Sequence, residues 1–151
     1  MTEQWYPHLT VATIIEKDGK FLIVKELSDG QVVLNQPAGH VDENETLFEA
    51  ATRETLEETG WHVKIDALVG FYMYTSPNNG TTYFRALFAA TALKQEPDYR
   101  LDEGIIEAQW LSLEDIRQQT EILRSPMVLQ CVEDYLAGRR LPLDCIAHIS
   151  C

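Results

Sequence analysis

The chain has 151 residues, 45% hydrophobic and 24% charged, the size and make-up of one ordinary globular domain. Disordered, collagen-like and disulfide-stapled chains are thereby excluded. Twelve Lys and Arg against twenty-four Asp and Glu give a formal charge of −12. That field repels polyanions, so neither a nucleic-acid polymer nor an anionic membrane surface is an expected partner.

His8 to Glu16 carries β-branched residues in alternation and predicts a strand. Asp18-Gly19 turns it into a second run, Phe21 to Val24, a strong hairpin signal. Ser28-Asp29-Gly30 makes another turn before a short strand, Val32 to Leu34. Gln36 to His40 is expected to be loop, because Pro37 has no N–H to give a ladder. A helix then spans Thr46 to Thr59. Thr46 and Glu49 have capping-box spacing, acids crowd the positive start, and Gly60 stands where a left-handed cap is wanted. Val63 to Tyr74 and Thr81 to Leu93 predict long strands around Pro77-Asn78-Asn79-Gly80, and Ile105 to Leu111 another. Ser112 and Asp115 repeat the capping-box spacing at a second helix. Ser125-Pro126 opens a third, which Gly138 closes.

No linker or repeat interrupts this pattern, and no stretch approaches the ~18 apolar residues of a membrane span. The start, Met1 to Pro7, lacks the basic and apolar regions of a signal peptide. Cys131, Cys145 and Cys151 are odd in number and lack metal-pair spacing, which predicts reduced thiols in a cytoplasmic protein. The expected fold is a single α+β domain over residues 1–151, a mixed central sheet flanked by helices in an α/β/α sandwich.

The first helix holds an anomaly. Leu47, Ala50, Ala51, Glu54, Glu57 and Glu58 recur at the spacing of a buried face. The first half is apolar, but the second half sets three carboxylates where the helix should be dry. From Asp42 to Glu58 there are seven acids and one base, Arg53, too little positive charge to neutralise them. Clustered carboxylates without His or Cys suit a hard divalent cation, Mg²⁺ or Mn²⁺. A solvated acidic helix face is the plain alternative, but it accounts for neither the stripe nor the capped ends.

Gly39, Glu45, Arg53-Glu54, Glu57-Glu58, Gly60 and the apolar Trp61 resemble the Nudix box, with every acidic, basic and glycine position filled. Thr55 departs from the pattern, standing where the family usually has an aliphatic residue, and is expected to loosen packing behind the helix. His8 to Ala12, Asn35 to His40, Leu123 to Pro126 and Gly138 to Leu143 are similar to a phosphatase branch of that family. The resemblance thus extends over nearly the whole chain.

The resemblance implies the Nudix fold and Mg²⁺-dependent hydrolysis, with Mn²⁺ as an alternative, of a diphosphate linked to another group. Water attacks phosphorus while the dication neutralises phosphate oxygens. By position, Glu57 and Glu58 are the principal metal ligands, Glu54 a ligand or the general base, and the Gly39 carbonyl a further ligand. Arg53 orients Glu57 or Glu49, and Glu45 is structural. A late carboxylate is implied near Trp110. Glu107 is favoured over Glu103, against the reading of both as surface acids; Gln109 holds a place where some relatives keep Glu. The branch implies small phosphorylated substrates: hydroxymethylpyrimidine pyrophosphate, thiamine pyrophosphate, and nucleoside di- and triphosphates. It also implies a monomer, with a dimer left open. ADP-ribose or a dinucleoside polyphosphate is the alternative substrate, and a non-catalytic nucleotide-binding module the alternative function.

Substrate residues are open between two readings each. Arg85, in an otherwise apolar strand, either grips a phosphate or is a surface arginine. His40 faces the phosphates or caps its loop. Tyr74, with Tyr72 and Tyr83, stacks on a heterocycle or packs across strands. Trp5 and Tyr6 close over a site or anchor the first strand.

Overall fold

In the computed structural model, which describes residues 2–150, the turns Asp18-Gly19 and Asp29-Gly30 take positive φ at both residues. That geometry matches the twist of paired strands. The turns join β1 (His8–Lys17), β2 (Lys20–Ser28) and β3 (Gln31–Asn35). Further strands are β4 (Ala38–His40), β5 (Trp61–Thr75), β6 (Thr82–Gln95) and β7 (Ile105–Leu111). Their order is β3-β2-β1-β6-β5, with β4 paired to β1 and β7 to β2. β1 runs parallel to β6 and the other pairings are antiparallel, so the sheet is mixed.

The helices are α1 (Leu47–Thr59), α2 (Leu113–Arg117) and α3 (Met127–Leu136). Ala50 and Ala51 of α1 pack on Val11, Leu68, Ala86 and Phe88. Ile116 of α2 with Cys131 and Val132 of α3 packs on Ala12, Ile14, Leu87 and Val69. These sets alternate along β1 and β6, so they lie on opposite faces of the sheet. The expected α/β/α sandwich is therefore the observed one. Cys131 is buried and Cys145 exposed, both as free thiols; Cys151 lies outside the described residues.

One expected loop is half strand. Pro37 stays outside the ladder, its carbonyl accepting from the Thr13 N–H at 3.0 Å. The residues after it keep their N–H groups and pair with β1, Gly39 opposite Val11. A proline removes only its own donor. This pairing brings Gly39 to the end of the sheet beside α1.

α1 is fixed at both ends. Thr46 Oγ1 accepts from Glu49 N at 3.1 Å, and Glu49 accepts in return from Thr46 N at 3.2 Å. Gly60 takes φ 75°, and its N–H donates to Leu56 O at 2.9 Å. The C-terminal segment adds a further tie. Leu141 and Leu68 exchange backbone bonds of 2.7 and 3.0 Å, and His148 Nε2 accepts from Leu47 N at 3.1 Å. One first-turn donor, which helix geometry leaves orphaned, is thereby satisfied.

Thr55 does not loosen the packing. It is fully buried and donates to Ala51 O at 2.7 Å. Its single hydrogen being spent there, Thr13 of β1 is the donor in the 2.8 Å bond between the two hydroxyls. A polar pin thus replaces the aliphatic contact. Thr55→Val leaves the buried Thr13 hydroxyl without an acceptor and is expected to cost about 1–3 kcal/mol, most of it recovered when Thr13→Val is added. Urea unfolding of both single variants and the double variant measures the coupling, and costs that simply add contradict the pin.

Candidate active site

The C-terminal half of α1, the end of β4 and the loop before β7 converge on one group of carboxylates. Glu54, Glu57 and Asp102 each offer an oxygen, all within 4.8 Å of one another. Glu54 is mostly covered, with 13% of its side chain exposed, and Glu57 is at 32%. Asp102 is exposed and held in place by its own N–H, which donates to Glu57 O at 3.0 Å. Glu58 is 8% exposed and accepts from Ala38 N at 2.8 Å.

Arg53 organises this group with all of its N–H donors. Nε and Nη2 hold Glu45 at 2.7 and 3.0 Å. Nη1 divides between Glu54 at 2.8 Å and Glu57 at 3.1 Å. The remaining Nη2 hydrogen reaches His40 O at 3.0 Å. A guanidinium has five such hydrogens, and each here has an acceptor. Of the two partners the sequence left open, Glu57 is contacted, whereas Glu49 serves the helix cap. The Arg53 pairing holds the Glu45 carboxyl below its usual range.

One arginine does not balance the acids. Burial pushes the Glu54 carboxyl up despite Arg53, with Glu57 and Asp102 adding to the rise. Glu58 is pushed up to about 9, chiefly by burial, against which the Ala38 bond acts only in part. Carboxylates so placed bind protons readily, and a divalent cation supplies the same missing charge. The all-oxygen group of Glu54, Glu57 and Asp102 fits such an ion; among the described residues Glu58 does not join that group, and its Oε1 accepts from the Ala38 N–H instead. Gly39 has a steric reason to be glycine, since a Cβ there would overlap the Glu54 carboxyl group.

Glu54 also borders a cavity of about 410 Å³ lined by Gly39, His40, Glu58, Tyr74, Tyr83 and Arg85, among others. Arg85 is 4% exposed, so it is not a surface arginine. Its bonds go to Gln36 Oε1 at 2.9 Å and Asn35 Oδ1 at 3.1 Å. His40 Nε2 and His8 Nδ1 share a hydrogen bond of 3.0 Å, and burial together with His8 lowers the tendency of His40 to protonate. Tyr72 stands apart, donating to Asp134 at 2.7 Å. Trp5 and Tyr6 are 62% and 70% exposed and do not line the cavity.

Glu107 sits elsewhere. It lies opposite Lys25 in the β2–β7 pairing and forms a 3.7 Å ion pair with it. The late acid that the fold brings to Glu54 and Glu57 is Asp102, which spacing from Trp110 did not single out. Its signal was the acidic turn Asp102-Glu103-Gly104, closed by Gly104 at φ 91°. Asn35, which lines the cavity, and Gln36, a fully buried partner of Arg85, were also missed; their part in the site became visible only with the Arg85 bonds.

A NUDIX domain is matched over residues 6–131. The chain is 39% identical to Phosphatase NudJ of Escherichia coli (strain K12) over 144 residues, 95% of this chain and 93% of that protein. A solved NUDIX hydrolase from Nitrosomonas europaea is 44% identical and superposes with a TM-score of 0.93, covering 95% of this chain and 98% of its own. The NUDIX domain of Shewanella oneidensis NrtR, solved with ADP ribose, has 16% identity and a TM-score of 0.70 over 89% of this chain and 90% of its own. At that identity the likeness speaks to fold alone.

The raised Glu58 carboxyl sets a pH dependence. Its folded-state value lies above that of an unfolded glutamate, so its favourable contribution is complete in mild acid and is lost as pH rises toward about 9. In EDTA, the melting temperature is expected to fall between about pH 5 and pH 9 more steeply for the native chain than for Glu58→Gln. Parallel curves for the two proteins contradict the assignment.

Proposed function

Because the chain belongs to the NUDIX family and is a hydrolase of phosphoric anhydride bonds, we propose that it cleaves the diphosphate of small di- and triphosphates with Mg²⁺, Mn²⁺ serving as an alternative. The observation that carries this reading is the convergence of Glu54, Glu57 and Asp102 with Arg53 beside a cavity lined by Arg85 and Tyr74. The substrates proposed are hydroxymethylpyrimidine pyrophosphate, thiamine pyrophosphate and nucleoside di- and triphosphates. We further propose that residues 1–151 act as one domain, as a monomer in the cytoplasm.

Glu57, Glu58, Glu54 and the Gly39 carbonyl are the proposed holders of the cation, with Asp102 in the place first considered for Glu107. When bound, the cation lends charge stabilisation to the phosphate oxygens and lowers the proton affinity of the attacking water. Glu54 belongs to both the cluster and the cavity, which supports its proposed role as acceptor of the proton from the water that attacks phosphorus. Its raised carboxyl value suits a base. The P–O bond to the leaving phosphate breaks as the new one forms. Arg53 keeps Glu54 and Glu57 aimed. His40, Tyr74 and Arg85 contact the rest of the substrate.

Phosphate release from pyrimidine pyrophosphates, nucleotides and ADP-ribose, with and without Mg²⁺, tests the reading. A nucleoside monophosphate from ADP-ribose would move the substrate to the alternative class, and Mg²⁺-dependent binding without turnover would favour a non-catalytic module. Glu57→Gln is expected to lower kcat by about 10²–10⁴-fold, and an unchanged rate removes its role. Gly39→Ala, which displaces the Glu54 carboxyl group, is expected to lower kcat while leaving urea stability within about 1 kcal/mol of the native chain. Full activity in that variant contradicts the placement of Glu54.

A further inference from the structure

Among the described residues, no carboxylate pairs with the buried Arg85 guanidinium. Nη1 is spent on Gln36 Oε1 at 2.9 Å and on the Cys131 sulfur at 3.7 Å, and Nη2 on Asn35 Oδ1 at 3.1 Å. Gln36 is locked in that orientation, because its Nε2 donates to Val128 O at 2.8 Å. The Arg85 Nε atom is buried with no partner. Every group that Arg85 touches is thus neutral, since burial keeps the Cys131 thiol protonated.

The acids nearby are committed elsewhere. Asp134 accepts from Tyr72 at 2.7 Å and Gln130 at 3.0 Å, with Arg139 at 3.8 Å. Glu26 pairs with Arg124. Glu54 holds Arg53, and Glu58 accepts from Ala38 N. Buried charges in folded proteins are ordinarily paired. Here the pairing group must come from outside, through the cavity that Arg85 lines.

Two further features face the same space. Asn35 lines the cavity; its oxygen is taken by Arg85, which leaves its amide hydrogens for a ligand. The start of α3 is also there, with Ser125 and Met127 in the wall; its Met127 and Val128 N–H groups donate to Ser125 Oγ and O, so it offers an anion the positive end of the helix dipole rather than free N–H groups. At this end of a cavity that Glu26, Glu54 and Glu58 also line, the guanidinium and the amide supply donors and the helix start a positive dipole end.

We propose that Arg85, Asn35 and the start of α3 form an anion subsite, distinct from the carboxylate cluster, for a phosphoryl-class oxyanion on the part of the substrate remote from the cleaved bond. Use of the subsite in turnover rests on the hydrolase reading; the binding of an oxyanion does not.

The test is titration of the EDTA-treated protein with inorganic phosphate, followed by calorimetry. Without a metal the carboxylate cluster repels phosphate, so binding reports the Arg85 end. Asn35→Asp is the decisive variant. It keeps the oxygen that accepts from Arg85, but gives the guanidinium an internal counter-charge and removes the amide donor. Phosphate binding is expected to weaken about tenfold or more in Asn35→Asp, and Arg85→Gln is expected to abolish it. No binding to the native chain, or equal binding to native and Asn35→Asp protein, overturns the subsite. If phosphate binding behaves as expected but no diphosphate is hydrolysed with Mg²⁺, the subsite stands and the hydrolase reading fails.

Discussion

More negative charge gathers at the end of α1 than the protein itself offsets, and the rest of the site follows from that imbalance. Arg53 gives every N–H it has to Glu45, Glu54, Glu57 and the His40 carbonyl. Glu58 lies under cover, and among the described residues its partner is a backbone N–H. Carboxylates in such surroundings either keep protons or share a cation. The first state suits the metal-free protein; the second is the one proposed for the hydrolase, in which a dication would offer open coordination positions to phosphate oxygens.

Crowded acids stay in register only on a rigid support. α1 has a reciprocal cap at its start, a left-handed glycine at its end and a threonine pin to β1 midway. β4 delivers Gly39 against Glu54 so closely that no larger residue fits without displacing the carboxyl group. The C-terminal segment, through His148 and Leu141, ties the same helix and the β5 strand from the outside. Each tie is modest, of order 1 kcal/mol, but together they hold the acidic side chains in a geometry that mutual repulsion would otherwise open.

Much of this was legible in the sequence because local signals agreed with the fold. Asp-Gly pairs, two capping boxes and Gly60 marked real boundaries, and the acidic half-stripe of α1 pointed to the site. What escaped depended on contacts between distant segments. β4 was hidden by Pro37, whose missing N–H says nothing about the residues after it. Thr55 looked like a packing defect because its partner, Thr13, lies 42 positions away. Asp102 was passed over for Glu107 because strand alternation does not tell which acid a preceding loop carries back to the helix. Arg85 could not be assigned a side from its apolar neighbours, whereas the fold buries it in the cavity wall beside Asn35.

The most direct measurement is anomalous diffraction from crystals soaked in Mn²⁺. A manganese peak enclosed by oxygens of the α1 glutamates, with Asp102 nearby, is predicted. Crystals that diffract well after the soak yet show no peak there, with Glu54 and Glu57 turned out to water, would contradict the claim that a divalent cation completes the charge balance of this site.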